Sequence, residues 1–248
     1  MSPPDRSTSA RLELQRVATH ILARARCEAD GHFGLRVTPS GIATPAFGAE
    51  GDVLRIAGPA LVRESREAGE ARSATIELPG RSLGALAAFA GVSLEAPFSV
   101  GGDTPDLGDP EVPIDIDVGA AMAVMAWLGV GAVALDRVLP RTAAPSVIQL
   151  WPEHFDISVD VATGHGRANL GASPGDGFSA DPYLYVSPWE GARPGDPTFW
   201  NAPFGAVVLQ EDGAATAEQV EGAVAFFETG LSLLGEAEAS PPELPAPG

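Results

Sequence analysis

Between Val118 and Leu135 the chain runs for eighteen residues without a charged side chain. Such a run has to be buried, either in protein or in lipid. Its length sits at the roughly 18-residue threshold for a bilayer span. Its Ala and Gly content makes it only modestly apolar, so a central helix inside a core is expected rather than a span. Asp117 stands just before it and suits an N-cap, where a carboxylate accepts first-turn N–H groups. Pro140 marks its end.

The other elements arrange themselves around that helix. A helix is expected over 9–28, with Leu14, Val17, Ala18, Ile21, Leu22 and Ala25 at helical spacing. Arg11, Arg16, Arg24 and Arg26 lie off that stripe, and Gly31 is a stop. Residues 32–80 read as β-rich: Phe33, Leu35 and Val37 alternate, Ser40-Gly41 makes a turn, and strands fit 52–56 and 73–78. A short apolar helix over 82–91 leads into an acidic loop, 103–117. The second half returns to strands, with 147–161 read as one long strand or hairpin arm and shorter strands at 167–172, 183–187 and 204–210. Thr216, with Gln219 three residues on, has the form of a capping box opening a last helix. That helix buries Val220, Ala223, Val224, Phe227, Leu231 and Leu234. The expected fold is a single α+β domain over 9–235. It has antiparallel β-sheet layers in two halves, a buried central helix and flanking N- and C-terminal helices. Segments 32–80 and 146–210 share a texture that suggests a pseudo-repeat, and the ends, 1–8 and 236–248, read as disordered.

Composition removes whole classes of chemistry. The 248 residues include 15 basic ones, all Arg, against 33 acids, for a net charge of −18. With no Lys, a pyridoxal phosphate Schiff base is excluded and the phosphate-gripping Lys of a P-loop is missing. One cysteine, Cys27, rules out a disulfide framework and reads as a structural thiol. The charge is uneven: residues 1–81 carry eleven Arg and ten acids, net +1, and residues 82–248 carry four Arg and twenty-three acids, net −19. Such a field repels nucleic acid; it reads first as a device for solubility and, as the sharper alternative, as one that steers a cation or metal. The start of the chain lacks an apolar h-region, so a cytoplasmic protein is expected, with no membrane and no nucleic acid among its partners.

Segment 151–206 holds three of the four Trp, both Tyr and two of the four His. Large aromatics beside isolated polar groups line small-molecule pockets, and they also pack sheets against helices. If 151–156 is a strand, alternation sets His154 and Asp156 on one face and Glu153 and Phe155 on the other. His154, Asp156 and Glu153 are then the candidate acid/base residues. His154, Asp156 and His165 form a candidate set for a divalent metal. Trp151, Tyr185, Trp189 and Trp200 would line the site, with Asn169 and Asn201 as polar anchors. Glu153, Asp156, Asp181 and Glu190 are carboxylates that could pair for glycoside hydrolysis. Three other signals are set aside. Gly171 to Gly175 matches a nucleophile elbow, but Pro174 lacks the N–H an oxyanion hole needs, so the segment reads as a turn. Asp115-Ile116-Asp117 has the form of a D-x-D metal motif, yet Asp117 already serves as a cap. The run Asp103, Asp106, Asp109, Glu111 lacks EF-hand spacing.

The strings LELQRVATHILARAR and HFGLRVTPSGIATPAFG, then PEVPIDIDVGAA, LWPEHFDISV and PYLYVSPW, span nearly the whole folded chain. In that order they resemble a bacterial domain-of-unknown-function family, common in actinobacteria, that has no assigned activity. The family often places His and Asp-Glu-Asp groupings before its central helix, where this chain has Ile114-Asp115-Ile116-Asp117. The resemblance implies one folded unit and brings no mechanism. The leading expectation is a small-molecule-binding pocket in the second half, with acid/base chemistry if it is catalytic and with no cofactor predicted. The alternatives are a non-catalytic structural or protein-interaction domain, such as a homodimer built on the aromatic strings, and a metal-dependent hydrolase.

Overall fold

The structure, a computed structural model, describes residues 6–67, 69–211 and 213–235. The expected disorder at 1–5 and 236–248 lies outside the described residues; residues 6–8 are helical. The chain opens with α1 (Arg6–Val17), a π-helical segment (Ala18–Ala23) and α2 (Arg24–Asp30). A five-stranded antiparallel meander follows: β1 (Arg36–Thr38), β2 (Gly41–Ala43), β3 (Val53–Ala57), β4 (Ala60–Glu67) and β5 (Glu70–Glu77). Then come α3 (Leu83–Ala90) and the central α4 (Val118–Val138). A second meander, β6 (Gln149–Trp151), β7 (Asp156–Thr163), β8 (Gly166–Ser173), β9 (Tyr183–Pro188) and β10 (Ala206–Leu209), precedes α5 (Thr216–Leu234). This is an α+β fold with two sheet layers, a buried central helix and helices at both ends. The sheets meet where Leu35 and Leu150 exchange backbone hydrogen bonds of 2.8 Å.

Helix α4 is the hub. With the turn that follows, it is long and apolar enough to cross a bilayer by length and composition alone. Here Val124, Trp127, Leu128, Val130, Ala134 and Leu135 are buried in protein. It packs on β7 and β8, on α1 and on α5. Gly131 allows the closest approach: a Cβ there would collide with Ala172 and Ile157. Trp127 Nε1 donates to the Ser173 carbonyl at 2.7 Å, fixing helix to sheet. Asp117 caps the helix, its Oδ1 accepting from Ala120 N at 2.9 Å. The last helix is capped differently from the Thr216–Gln219 pattern. Its N-cap is Ala215, and Glu218 reaches back to accept from Ala215 N at 3.2 Å.

The first helix departs most from its apolar stripe. Arg11 and Arg24 are both buried, and the segment 94–107 folds over Arg24. Polar side chains of this helix hold chain carbonyls in place. Arg16 donates to Leu107 O at 2.7 Å, His20 Nε2 to Pro105 O at 2.8 Å and Arg24 to Ala96 O at 2.9 Å. Gln15 donates to Glu153 O at 2.6 Å and Thr19 to Pro152 O at 2.9 Å, which ties down the turn before β7.

Candidate functional site

The second meander has two unlike faces. Ile157, Val159, Val161, Ala168, Leu170, Ala172, Leu184 and Val186 are buried in the core around α4 and α5. The alternate positions face away, and strand register sets them in rows: Gln149 beside Ser158, then Gly171 and Tyr185; Trp151 beside Asp156; Asp160 beside Asn169 and Ser187. This outer face floors a cleft of about 660 Å³, with Trp151, Glu153, His154, Asp156, Asn169, Tyr185 and Trp189 among its lining.

The expected strand over 147–161 is interrupted. Residues Pro152 to Phe155 form a turn between β6 and β7, so His154 and Asp156 do not share a strand face. The cause is local. Phe155 adopts a φ of 57°, a left-handed conformation that is an outlier for a bulky residue. Its ring is fully buried and its N–H donates to Trp151 O at 2.7 Å. Burying that ring holds the backbone in a strained state, as happens at sites where geometry is over-determined. The strain sets Glu153 and His154 above the sheet and starts β7 on Asp156.

Asp156 is 8% exposed. The Tyr185 hydroxyl reaches diagonally across β8 and donates a short hydrogen bond to its Oδ2, while Oδ1 is buried without a partner. Tyr185 can lie there because residue 171 is glycine; a Cβ at that position would overlap the ring. Gly171 therefore belongs to strand β8, and only 174–175, past its end, match the expected turn. Burial is the main cause that raises the Asp156 pKa from 3.8 to about 6, opposed by the Tyr185 hydrogen bond and by His154. Burial likewise raises Tyr185 well above the ordinary tyrosine value, with the Asp156 charge adding to it, so the phenol stays a donor. Glu153 is also pushed up by burial, and its Oε2 is unpartnered. At the mouth, His154 Nδ1 stands 3.2 Å from Asp103 Oδ2 and is 54% exposed on its side chain. The two indoles are fixed by their own N–H groups: Trp151 donates to Ser158 Oγ at 3.0 Å and Trp189 to Asn169 Oδ1 at 3.1 Å.

Several expected members lie elsewhere. Trp200 packs on Phe199, donates to Pro194 O at 2.8 Å and carries Arg193 over its ring. Asn201 is structural, paired through its amide with both backbone groups of Val207 at 2.8 and 3.0 Å. His165 is exposed at the β7–β8 turn, away from His154 and Asp156. Among the described residues no three His, Cys, Asp or Glu side chains are grouped to hold a metal ion, so that proposed ligand set does not assemble. Asp181 and Glu190 are outside the cleft lining. Ser146, Val147, Gln149, Ser158 and Asp160 join the lining without having been singled out. For Gln149, Ser158 and Asp160 the signal is the period-two polarity of 149–160, readable once the turn at 152–155 splits it. Comparison of the chain with family models, with curated proteins and with solved structures finds no match.

Proposed function

We propose that this chain binds a small molecule on the outer face of its second sheet, with Asp156 as the group that exchanges a proton with it. One observation carries the reading. Asp156 is a buried carboxyl on an open cleft, held through one oxygen by Tyr185 and left without a partner at the other. A core that needed only a filled position would not keep such a group, because an unsatisfied buried polar atom costs roughly 1–3 kcal/mol. A carboxyl that titrates near pH 6 is suited to general acid/base work close to neutrality. Glu153 supplies a second carboxyl, Trp151 and Trp189 flat apolar walls, and Gln149 and Asn169 amide groups for orientation. Cytoplasmic residence is part of the same proposal.

The four tryptophans make the test direct. In a proton–nitrogen NMR spectrum the indole signals of Trp151 and Trp189 should move when a library of amines, sugars and carboxylic acids is titrated. Those of core-bound Trp127 and distant Trp200 should stay. Asp156→Asn should weaken the response. Binding that moves only Trp200, or that ignores the Asp156 substitution, would refute the proposal.

A further inference from the structure

The charge lining the cleft is one-sided. Glu153 and Asp156 are both buried, and each keeps one oxygen without a partner. Asp160 also lines the cleft but is matched: Arg167 Nε donates to its two oxygens at 2.7 and 2.8 Å. Arg167 is thereby engaged, and it also donates to Ala144 O at 3.0 Å. The remaining titratable groups facing Asp156 are Tyr185, Tyr183 and His154, with Asp103 beyond His154. No Lys exists in the chain to complete a pair.

The walls point the same way. Trp151, Tyr185 and Trp189 present aromatic rings, whose faces attract cations. One of these rings already does so, since the Arg167 guanidinium carbon lies 5.8 Å from the Trp189 ring centroid. An organic anion entering here would meet two buried carboxylates in a low-dielectric setting. A cation would meet carboxylate and ring faces together. The net charge of −19 over residues 82–248 would add long-range steering.

We infer that the ligand of this cleft is an organic cation, an amine or quaternary ammonium, with Asp156 and Glu153 as counter-ions and the Trp151 and Trp189 rings around its charged end. This rests on the reading of the cleft as a small-molecule site, and it can fail while that reading stands.

Choline is a suitable probe because its charge does not change with pH, and dimethylbutanol is its uncharged isostere. Phenethylamine with phenylethanol, and phenylacetate as an anion, complete the set. Calorimetric titration of the full chain should show each cation binding at least about tenfold more tightly than its neutral isostere, with phenylacetate weakest. Choline affinity should rise about tenfold between about pH 5 and about pH 8, following ionisation of a group titrating near 6. Asp156→Asn should lose that rise, and Trp189→Ala should weaken choline with the fold intact by circular dichroism. Neutral isosteres that bind as tightly as the cations would overturn the cation inference and leave the pocket. A rise of undiminished size in Asp156→Asn would take the counter-ion role from Asp156 and overturn the assignment made here. If no probe of any charge shifts the Trp151 and Trp189 signals, both the inference and the small-molecule reading fall.

Discussion

Replacing Asp156 with Asn should make the protein more stable in mild alkali. The carboxyl is 8% exposed, and burial raises its pKa from 3.8 to about 6. The folded protein therefore holds this proton more tightly than the unfolded chain does. Below pH 3.8 both states are protonated and the group contributes nothing. Between 3.8 and about 6 the unfolded chain releases its proton first, so stability falls as pH rises. Above that window both states are ionised and the full cost stands. At about 1.4 kcal/mol per pH unit, the gap between the two values comes to about 3 kcal/mol. Asn keeps an oxygen to accept the Tyr185 hydroxyl and carries no charge. Its amide nitrogen would sit where Oδ1 now lacks a partner, which returns about 1 kcal/mol of that gain. A net gain of about 2 kcal/mol corresponds to a rise in Tm of about 4–8 °C for a domain of this size. Thermal melts of both proteins at about pH 5, 6.5 and 8 decide the matter. The two Tm values should diverge through the lower interval and run parallel above it. A variant that is less stable at the alkaline end, or an offset that is the same at every pH, would show that Asp156 carries no uncompensated charge in the fold.

The remaining predictions probe the parts that hold this carboxyl. Tyr185→Phe removes the hydrogen bond that favours the ionised form, so the Asp156 midpoint should move above about 6 in a carbon-detected carboxyl titration; an unchanged midpoint would deny the contact. Gly171→Ala should push the Tyr185 ring off β8 and cost about 1–3 kcal/mol in chemical denaturation. The same change in a Tyr185→Ala background should cost little, and equal costs in both would mean that the glycine is not there for the ring. Gln15→Leu removes the donor that holds Glu153 O and should cost about 1–2 kcal/mol, with hydrogen exchange quickening at 152–155 before it does elsewhere.

What the sequence made legible followed periodicity. The charge-free run 118–135 and the helical stripe from Leu14 to Ala25 report burial, and Asp117 reports a capping hydrogen bond three residues on; each is a property of a residue and its close neighbours. Asn169, Tyr185 and Trp189, which line the cleft with Trp151 and Asp156, were legible instead from the density of aromatics and isolated polar groups over 151–206. Two things hid the rest. The left-handed Phe155 breaks the alternation at the point where it was extrapolated, and nothing in Glu153-His154-Phe155 announces a positive φ, since the residue adopting it is neither Gly nor Asn. Trp200 and Asn201 lie in the same aromatic-rich segment, but Trp200 is held by Pro194 and Arg193 of a loop whose course composition does not encode, and Asn201 by the backbone of Val207 in β10. Arg11 and Arg24 lie off the apolar stripe and yet are buried, and for Arg24 the cover is the distant segment 94–107, which a helical wheel does not contain.

The two meanders share one strand order yet treat charge on their outer faces differently. On the first, Arg55 shares a row with Val62 and Thr75, and it is satisfied by Glu64 and Ser40. On the second, Asp160 finds Arg167, but Asp156, four residues earlier, finds only a neutral hydroxyl. If the face needed nothing beyond a soluble surface, a Thr such as Thr75 would serve at that position without the loss of about 3 kcal/mol worked out above. The cost is also localised: it falls beside the strained turn at Phe155, diagonal to the strand row where Gly171 clears room for the Tyr185 ring to reach across. A ligand that brings the missing positive charge would lower the Asp156 pKa and relieve that cost, so part of the deficit in the free protein would reappear as binding free energy. At one and the same ligand concentration the wild type should then be stabilised more than a pocket of the same shape with Asn at 156, because its tighter Kd enters the mass-action gain, which reaches about 2.7 kcal/mol at a hundredfold excess over Kd. A saturating cation that raises Tm equally in the wild type and in Asp156→Asn would break the link between the unpaired carboxylate and the site.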